Sequence, residues 1–179
     1  MVPTLVGKLT GLGYDVVIEP GAGRAAVYAD EEYAEAGASI DASALDRADV
    51  VVSVQPLATD AVRRLRRGTA PVSFLPLNRK PGLVADLRDC GVTSFAMELV
   101  PRISRQSMDA LSSQALVSGY RCASVAAGTL RPLLPLNMTA PGTVQPAEVV
   151  VLGAGVAGLQ AIATAKRVRG VVPAAVKAL

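Results

Sequence analysis

Hydrophobic and polar positions in the first part of the chain follow two periods in turn, which predicts alternating helices and strands. Leu5 to Leu12 has apolar residues at helical spacing and ends at Gly13. Asp15 to Glu19 is a short apolar run that predicts a buried strand. A second helix is predicted from Asp30 to Gly37, with Asp30 as its N-cap. The chain therefore begins with helix and strand units joined by short loops.

The same alternation continues to residue 98. Apolar runs at 48–54, 71–77 and 92–98 predict strands, and helical spacing at 59–66 and 81–90 predicts the helices between them. Strands that alternate with helices over short connections favour a parallel sheet with helices on both faces. The predicted fold class is α/β.

A long helix is predicted from Ser107 to about Gly128, with Ser107 as its cap and Asp109 in its first turn. One face of this helix is thin, which allows another helix to approach closely. The thin face consists of Ser112, Ala115, Gly119, Ala123 and Ala127.

The proline-rich stretch 131–146 predicts an irregular connection, after which a second α/β unit begins at Ala147. These boundaries predict an N-terminal α/β domain at 1–106, an interdomain helix at 107–130 and the start of a second domain at 131–179.

Composition narrows the class of protein. Of the 179 residues, 51% are hydrophobic, only 3% are aromatic and none is Trp, which favours a small-residue α/β protein over a module that stacks on nucleic-acid bases. We therefore expect no nucleic-acid partner. The chain has no His, so no metal site is predicted. Cys90 and Cys122 lie far apart and predict buried thiols in a reducing cytoplasm.

The net charge of +3 is partly local, since four arginines cluster within five positions of each other. They are Arg63, Arg64, Arg66 and Arg67. A solvated helix end is the first interpretation, and a surface for an acidic partner is the alternative. Residues 149–165 carry no charge and approach the length of a membrane span, but the glycines in their middle favour a buried strand that leads into a helix.

Glycines at the GxGxxG spacing follow this apolar run. Gly153 would allow the tight turn, Gly155 would let the backbone approach a pyrophosphate, and Gly158 would let the helix lie against the strand. Ala154 and Val156 lie between them, so their N–H groups also face the predicted phosphate site. The alternative is a glycine turn without a ligand.

The same fingerprint predicts an acidic residue about twenty positions further on, where it would bind the ribose hydroxyls. Residues 171–179 contain no acid, and Pro173 interrupts the strand that is predicted there. We therefore expect an incomplete second domain.

A polar cluster precedes the long helix and extends into its first turn. Arg102 can offer a planar fork to a carboxamide or carboxylate, and Gln106 can donate or accept hydrogen bonds. Asp109 and Ser112 lie three residues apart, on one face of the helix. We call these four residues the polar cluster. They predict a ligand contact surface or, alternatively, a capped helix with a surface ion pair.

The segment from Pro101 to Gln114, with Gly119 and Tyr120, resembles the soluble NAD(H)-binding domain of the alpha subunit of proton-translocating NAD(P) transhydrogenase. Residues 151–167 resemble the same family. This resemblance implies a Rossmann-like parallel-sheet domain and the start of a second, NAD-binding Rossmann domain, with NAD(H) between them. It also implies that the polar cluster contacts the nicotinamide.

The resemblance implies hydride transfer to NADP(H) on a separate domain, with no side chain acting as a catalytic acid or base. The implied partners are the NADP(H)-binding and membrane subunits and a second copy of the chain. The implied location is cytoplasmic, at the inner face of the bacterial plasma membrane.

Two alternatives remain open. Alanine dehydrogenase resembles this architecture but uses a His and a Lys, whereas this chain has no His and Ser53 stands at the corresponding Lys position. The other alternative is a truncated, non-catalytic nucleotide-binding fragment. The family pattern also has one more residue between Arg105 and Gln106, which predicts a change in the register of Gln106.

Overall fold

The computed structural model describes residues 1–168 and 170 of the chain. It divides into two compact units, Met1–Leu99 and Val100–Leu179. The three-part division of the chain into 1–106, 107–130 and 131–179 stays a prediction.

The first unit contains five strands in two parallel sheets. The strands are β1 (Val17–Ile18), β2 (Ser39–Ile40), β3 (Val50–Val52), β4 (Ala70–Ser73) and β5 (Phe95–Ala96). β1 pairs with β2, and the other three form a sheet in the order β3-β4-β5. The parallel pairing confirms the predicted α/β fold class.

Five α-helices alternate with these strands. They are α1 (Val6–Thr10), α2 (Asp30–Glu35), α3 (Ala44–Arg47), α4 (Thr59–Arg64) and α5 (Pro81–Asp89). Pro81 opens α5, where its fixed φ suits the first helical position and no N–H is needed. The short elements β2 and α3 were not predicted, because two to four residues are too few to show a hydrophobic period.

The apolar faces of these elements form two clusters. One contains Val6, Val16, Ile18, Tyr33 and Ala38, and the other contains Val62, Leu75, Leu83 and Leu87. Tyr33 is only 2% exposed, and its hydroxyl donates a hydrogen bond of 2.8 Å to the carbonyl oxygen of Met1. This bond satisfies the one polar group that Tyr33 brings into the core.

The prediction that Asp30 caps α2 is wrong. Ala29 occupies the N-cap position, and its N–H donates to the Glu32 carboxylate at 2.8 Å. Asp30 is the first helical residue, and its two carboxylate oxygens accept from the N–H of Gly21 at 2.9 and 3.0 Å. Asp30 therefore holds the preceding loop instead of the helix end.

The arginine cluster lies at the exposed end of α4 and just beyond it, as predicted for a solvated helix end. Arg64 pairs with Asp46 at 2.8 Å, and Arg66 pairs with Asp49 at 3.0 Å. Both pairs lie at the surface, where water screens them and their contribution to stability is small.

The second unit contains two long helices and a hairpin. The helices are α6 (Ala110–Thr129) and α7 (Val156–Arg167), and the hairpin strands are β6 (Asn137–Thr139) and β7 (Gly142–Val144). The prediction of an irregular connection at 131–146 is therefore wrong in its middle. Ala140 and Pro141 form the tip of the hairpin, where proline is compatible with a turn.

Two further predictions for this unit fail. Ser107 does not cap α6, because the chain makes a 3-10 turn over Gln106–Met108 and α6 begins after Asp109. The apolar run 149–152 has no strand assignment, since no described strand lies beside it to complete a ladder. The strand predicted at 171–179, with Pro173, lies outside the described residues.

The cysteines differ from the expectation of buried thiols. Cys90 is half-buried and Cys122 is exposed on α6, and both are free. Cys122 is exposed because no described element packs over that part of the helix. Among the described residues, no helix combines the length and apolar character that a membrane span requires.

Candidate functional site

The sequence-predicted site residues lie in two places in the second unit. Residues 153–158 form the turn into α7, which we call the glycine turn. The polar cluster lies before α6 and in its first turn.

Each glycine of the glycine turn has a distinct structural reason. Gly153 has a φ of +102°, which side-chain-bearing residues rarely adopt. A Cβ built on Gly158 would lie 2.0 Å from the carbonyl oxygen of Gly153, so only glycine allows this close approach. A Cβ on Gly155 would meet nothing within 4 Å, which leaves open space over the backbone at the helix start.

The N-terminus of α7 is available for an anion. Gly155 is the N-cap and offers no side chain, and the first helical bond runs from the Leu159 N–H to the Gly155 carbonyl at 2.9 Å. The N–H groups of Val156, Ala157 and Gly158 have no partner among the described residues. The first turn has no acidic residue, so the positive end of the helix dipole is not neutralised there.

α6 packs directly on the start of α7. Gly119 is buried, and a Cβ built on it would lie 2.1 Å from the carbonyl oxygen of Ala157 and 3.0 Å from its Cα. Ala157 is the second residue of α7 and lies within the glycine turn. The predicted thin face of α6 therefore allows close helix contact at Gly119, and this contact lies at the candidate phosphate site.

Within the polar cluster, Asp109 and Ser112 are in direct contact. Asp109 is the N-cap of α6, and its carboxylate accepts a hydrogen bond of 2.9 Å from the Ser112 N–H. The pKa of Asp109 is lowered, first by hydrogen bonding to the Ser112 side chain, then by the Ser112 N–H, and less by the charge of Arg102; desolvation opposes these effects. The carboxylate is therefore ionised at neutral pH.

The remaining two members of the polar cluster are exposed. Arg102 makes no ion pair with Asp109, and none with any other described residue. Gln106 opens the 3-10 turn, and its carbonyl oxygen accepts from the Asp109 N–H at 3.1 Å. The interpretation as a capped helix with an ion pair thus holds for the cap alone. The contacts of these four side chains with a nicotinamide stay predictions.

Sequence reasoning missed Ala157 as the partner of Gly119. The available signal was the run of small residues Gly153-Ala-Gly-Val-Ala-Gly158, which shows that a neighbour can approach but not which one.

Family models match most of the chain. The model described as "Alanine dehydrogenase/PNT, N-terminal domain" matches residues 1–118, and "Alanine dehydrogenase/PNT, C-terminal domain" matches residues 122–176. The first match alone covers more than half of the chain.

Individual relatives agree with these matches. The chain is 47% identical over 181 aligned positions to the first part of the NAD(P) transhydrogenase subunit alpha of Rhodospirillum rubrum, which covers 96% of this chain and 47% of that protein. It is similar to the crystal structure of transhydrogenase from Sinorhizobium meliloti, with a TM-score of 0.92, 43% identity and coverage of 97% and 53% of the two chains. An L-alanine dehydrogenase structure matches with a TM-score of 0.80, 26% identity and coverage of 95% and 48%. The chain thus spans about half the length of these relatives.

Proposed function

Since the chain belongs to the alanine dehydrogenase/PNT family, we propose that it is the NAD(H)-binding part of a proton-translocating NAD(P) transhydrogenase. The observation that carries this proposal is the glycine turn. It combines a left-handed Gly153, an open backbone at Gly155 and free N–H groups at the start of α7.

The glycine turn fits a dinucleotide pyrophosphate. The N–H groups of the turn, including those at Ala154 and Val156, would hold the phosphate oxygens at the positive end of the α7 dipole. The open space at Gly155 allows the backbone to approach the phosphates without a side chain between them.

The polar cluster would hold the nicotinamide end. The ionised Asp109 can accept a hydrogen bond from the carboxamide NH2, and Ser112 and Gln106 can donate or accept. Arg102, which has no ion-pair partner among the described residues, can donate to the carboxamide oxygen through its planar fork. These contacts would fix the orientation of the ring.

Bound NAD(H) supplies the hydride chemistry itself. The residues of this chain would bind the cofactor, orient the ring and exclude water from it, and no side chain would act as a catalytic acid or base. In this proposal the second nicotinamide belongs to NADP(H) on a separate domain, and hydride passes between the two rings.

The proposed partners are the NADP(H)-binding and membrane subunits of the transhydrogenase, together with a second copy of this chain. The name of the Rhodospirillum rubrum relative describes only the first part of a subunit alpha, which supports an assembly of several polypeptides. In this proposal the chain lies at the cytoplasmic, inner face of the bacterial plasma membrane, and proton translocation belongs to the membrane subunits.

Isothermal titration of the full 179-residue chain with NADH tests the proposal, with NADPH for comparison. We expect saturable NADH binding with a dissociation constant on the order of micromolar, and weaker binding of NADPH. Arg102→Ala should weaken NADH binding by about tenfold, which corresponds to one charged hydrogen bond. Arg105→Ala is the matched control, because it removes an exposed arginine three positions away.

The control variant should bind NADH like the unaltered chain. Equal losses in both variants would assign the effect to net charge and contradict a specific role for Arg102. A folded chain without any saturable heat signal would contradict the proposal and support the alternative of a non-catalytic fragment.

A further inference from the structure

We propose that Gly119 is a positioning residue that sets the distance between the polar cluster and the glycine turn. This inference rests on the proposed function, because it concerns the two ends of the same NAD(H) site. It assigns a role to a residue that would contact neither the nicotinamide nor the phosphates.

The close approach of α6 and α7 depends on the missing side chain at Gly119. A Cβ there would lie 2.1 Å from the Ala157 carbonyl oxygen, whereas Cβ contacts below 3.0 Å essentially do not occur. The contact is to backbone, so no side-chain rotation can relieve it. Adding one methyl group would therefore push α6 away from α7 by about 1 Å, the difference between these two distances.

Both helices carry half of the proposed site close to their N-termini. Asp109 caps α6 and Ser112 lies in its first turn, while Ala157 lies within the glycine turn. α6 is continuous from Ala110 to Thr129, so a displacement at Gly119 also moves its first turn. A shift of about 1 Å exceeds the roughly 0.5 Å within which binding groups must be held.

NADH and ADP-ribose distinguish this role from a general loss of structure. NADH carries both the pyrophosphate and the nicotinamide, so it would have to engage the glycine turn and the polar cluster together. ADP-ribose carries the pyrophosphate without the nicotinamide, so it would engage the glycine turn alone. A changed distance between the two halves should weaken NADH binding selectively.

The experiment measures the affinity of both ligands for Gly119→Ala and for a matched control, Gly128→Ala. Gly128 lies in the same helix, and a Cβ on it would meet nothing within 4 Å. We expect Gly119→Ala to bind NADH about tenfold more weakly and ADP-ribose within about twofold of the unaltered chain. Gly128→Ala should leave both affinities unchanged.

Equal weakening of both ligands in Gly119→Ala would overturn the inference, as would unchanged NADH binding. An unaltered chain that binds neither ligand gives a different result, because it overturns the proposed function and this inference with it.

A measurement on the unaltered chain covers the case in which Gly119→Ala does not fold. Hydrogen exchange at the amides of 116–123 should be slower with NADH than with ADP-ribose, because NADH would hold α6 and α7 together from both ends. Identical exchange with both bound ligands would overturn the inference.

Discussion

The carboxylate of Asp109 accepts a hydrogen bond of 2.9 Å from the backbone N–H of Ser112. Two of the residues that the sequence predicts as nicotinamide contacts are therefore bonded to each other. The same carboxylate caps α6, so its structural role and its proposed ligand role share one group. Substitutions at this position have to separate the two roles.

Asp109→Asn and Asp109→Ala make that separation. Asparagine caps a helix about as well as aspartate but cannot supply a carboxylate, whereas alanine does neither. We expect Asp109→Asn to retain the melting temperature and to lose NADH affinity. Asp109→Ala should lose NADH affinity and also melt a few degrees lower. Thermal melts and NADH titrations of both variants check this, and full NADH affinity in Asp109→Asn would exclude the carboxylate from the ligand site.

The stability of the chain should fall in acid partly through Asp109. The pKa of Asp109 is lowered in the folded chain, first by hydrogen bonding to the Ser112 side chain. Its stabilising contribution is therefore complete above the ordinary aspartate pKa, about 4, and is lost as the pH falls through the lower folded value. We expect Asp109→Asn to lose less stability than the unaltered chain below about pH 4.

The rest of the acid effect should remain in that variant. The pKa of Asp41 is lowered mainly by Ser43, and that of Asp46 mainly by the hydrogen bond from Arg64. Denaturant titrations at several pH values measure the difference, and parallel pH curves for the two proteins would contradict a contribution from Asp109.

Two substitutions in the glycine turn should have opposite signatures. Gly155→Ala adds a methyl group into open space, so the fold should tolerate it while NADH binding weakens by at least about tenfold. Gly158→Ala places a Cβ 2.0 Å from the Gly153 carbonyl oxygen, so it should lower stability as well as binding. Melting temperatures and NADH affinities separate the two cases, and normal NADH binding by Gly155→Ala would argue against a phosphate over this turn.

Gly23 should be essential for packing in the first unit. A Cβ at Gly23 would lie 2.5 Å from Cε2 of Tyr33, a side chain that is only 2% exposed. We expect Gly23→Ala to lower the free energy of unfolding by about 1–3 kcal/mol through overpacking. Gly7→Ala is the control, because a Cβ there meets nothing within 4 Å and alanine favours the α1 helix. Denaturant unfolding of both variants tests this, and equal stabilities would show that Tyr33 moves aside freely.

The regular elements of the first unit were predictable because their signals are local. α5 shows helical spacing and a proline at its start, and β4 lies within a predicted apolar run. The hairpin of β6 and β7 was not predicted, because its prolines indicated only a break in regular structure. The apolar run at 149–152 reads as a strand but lacks a described partner to pair with.

The candidate site divides in the same way. The glycine spacing and the residue types of the polar cluster are visible in the sequence, since each depends on neighbours a few positions away. The cap of α6 was misplaced by two residues, from Asp109 to Ser107, because a 3-10 turn precedes the helix and both residue types cap well.

The sequence by itself determined the α/β class, the glycine turn and the chemistry of the polar cluster, because hydrophobic period, backbone freedom and side-chain type are local properties. Only the tertiary structure decided that Asp30 holds Gly21 and that Gly119 lies against Ala157. These contacts join residues that are distant along the chain, and their partners are selected by how whole helices and loops pack.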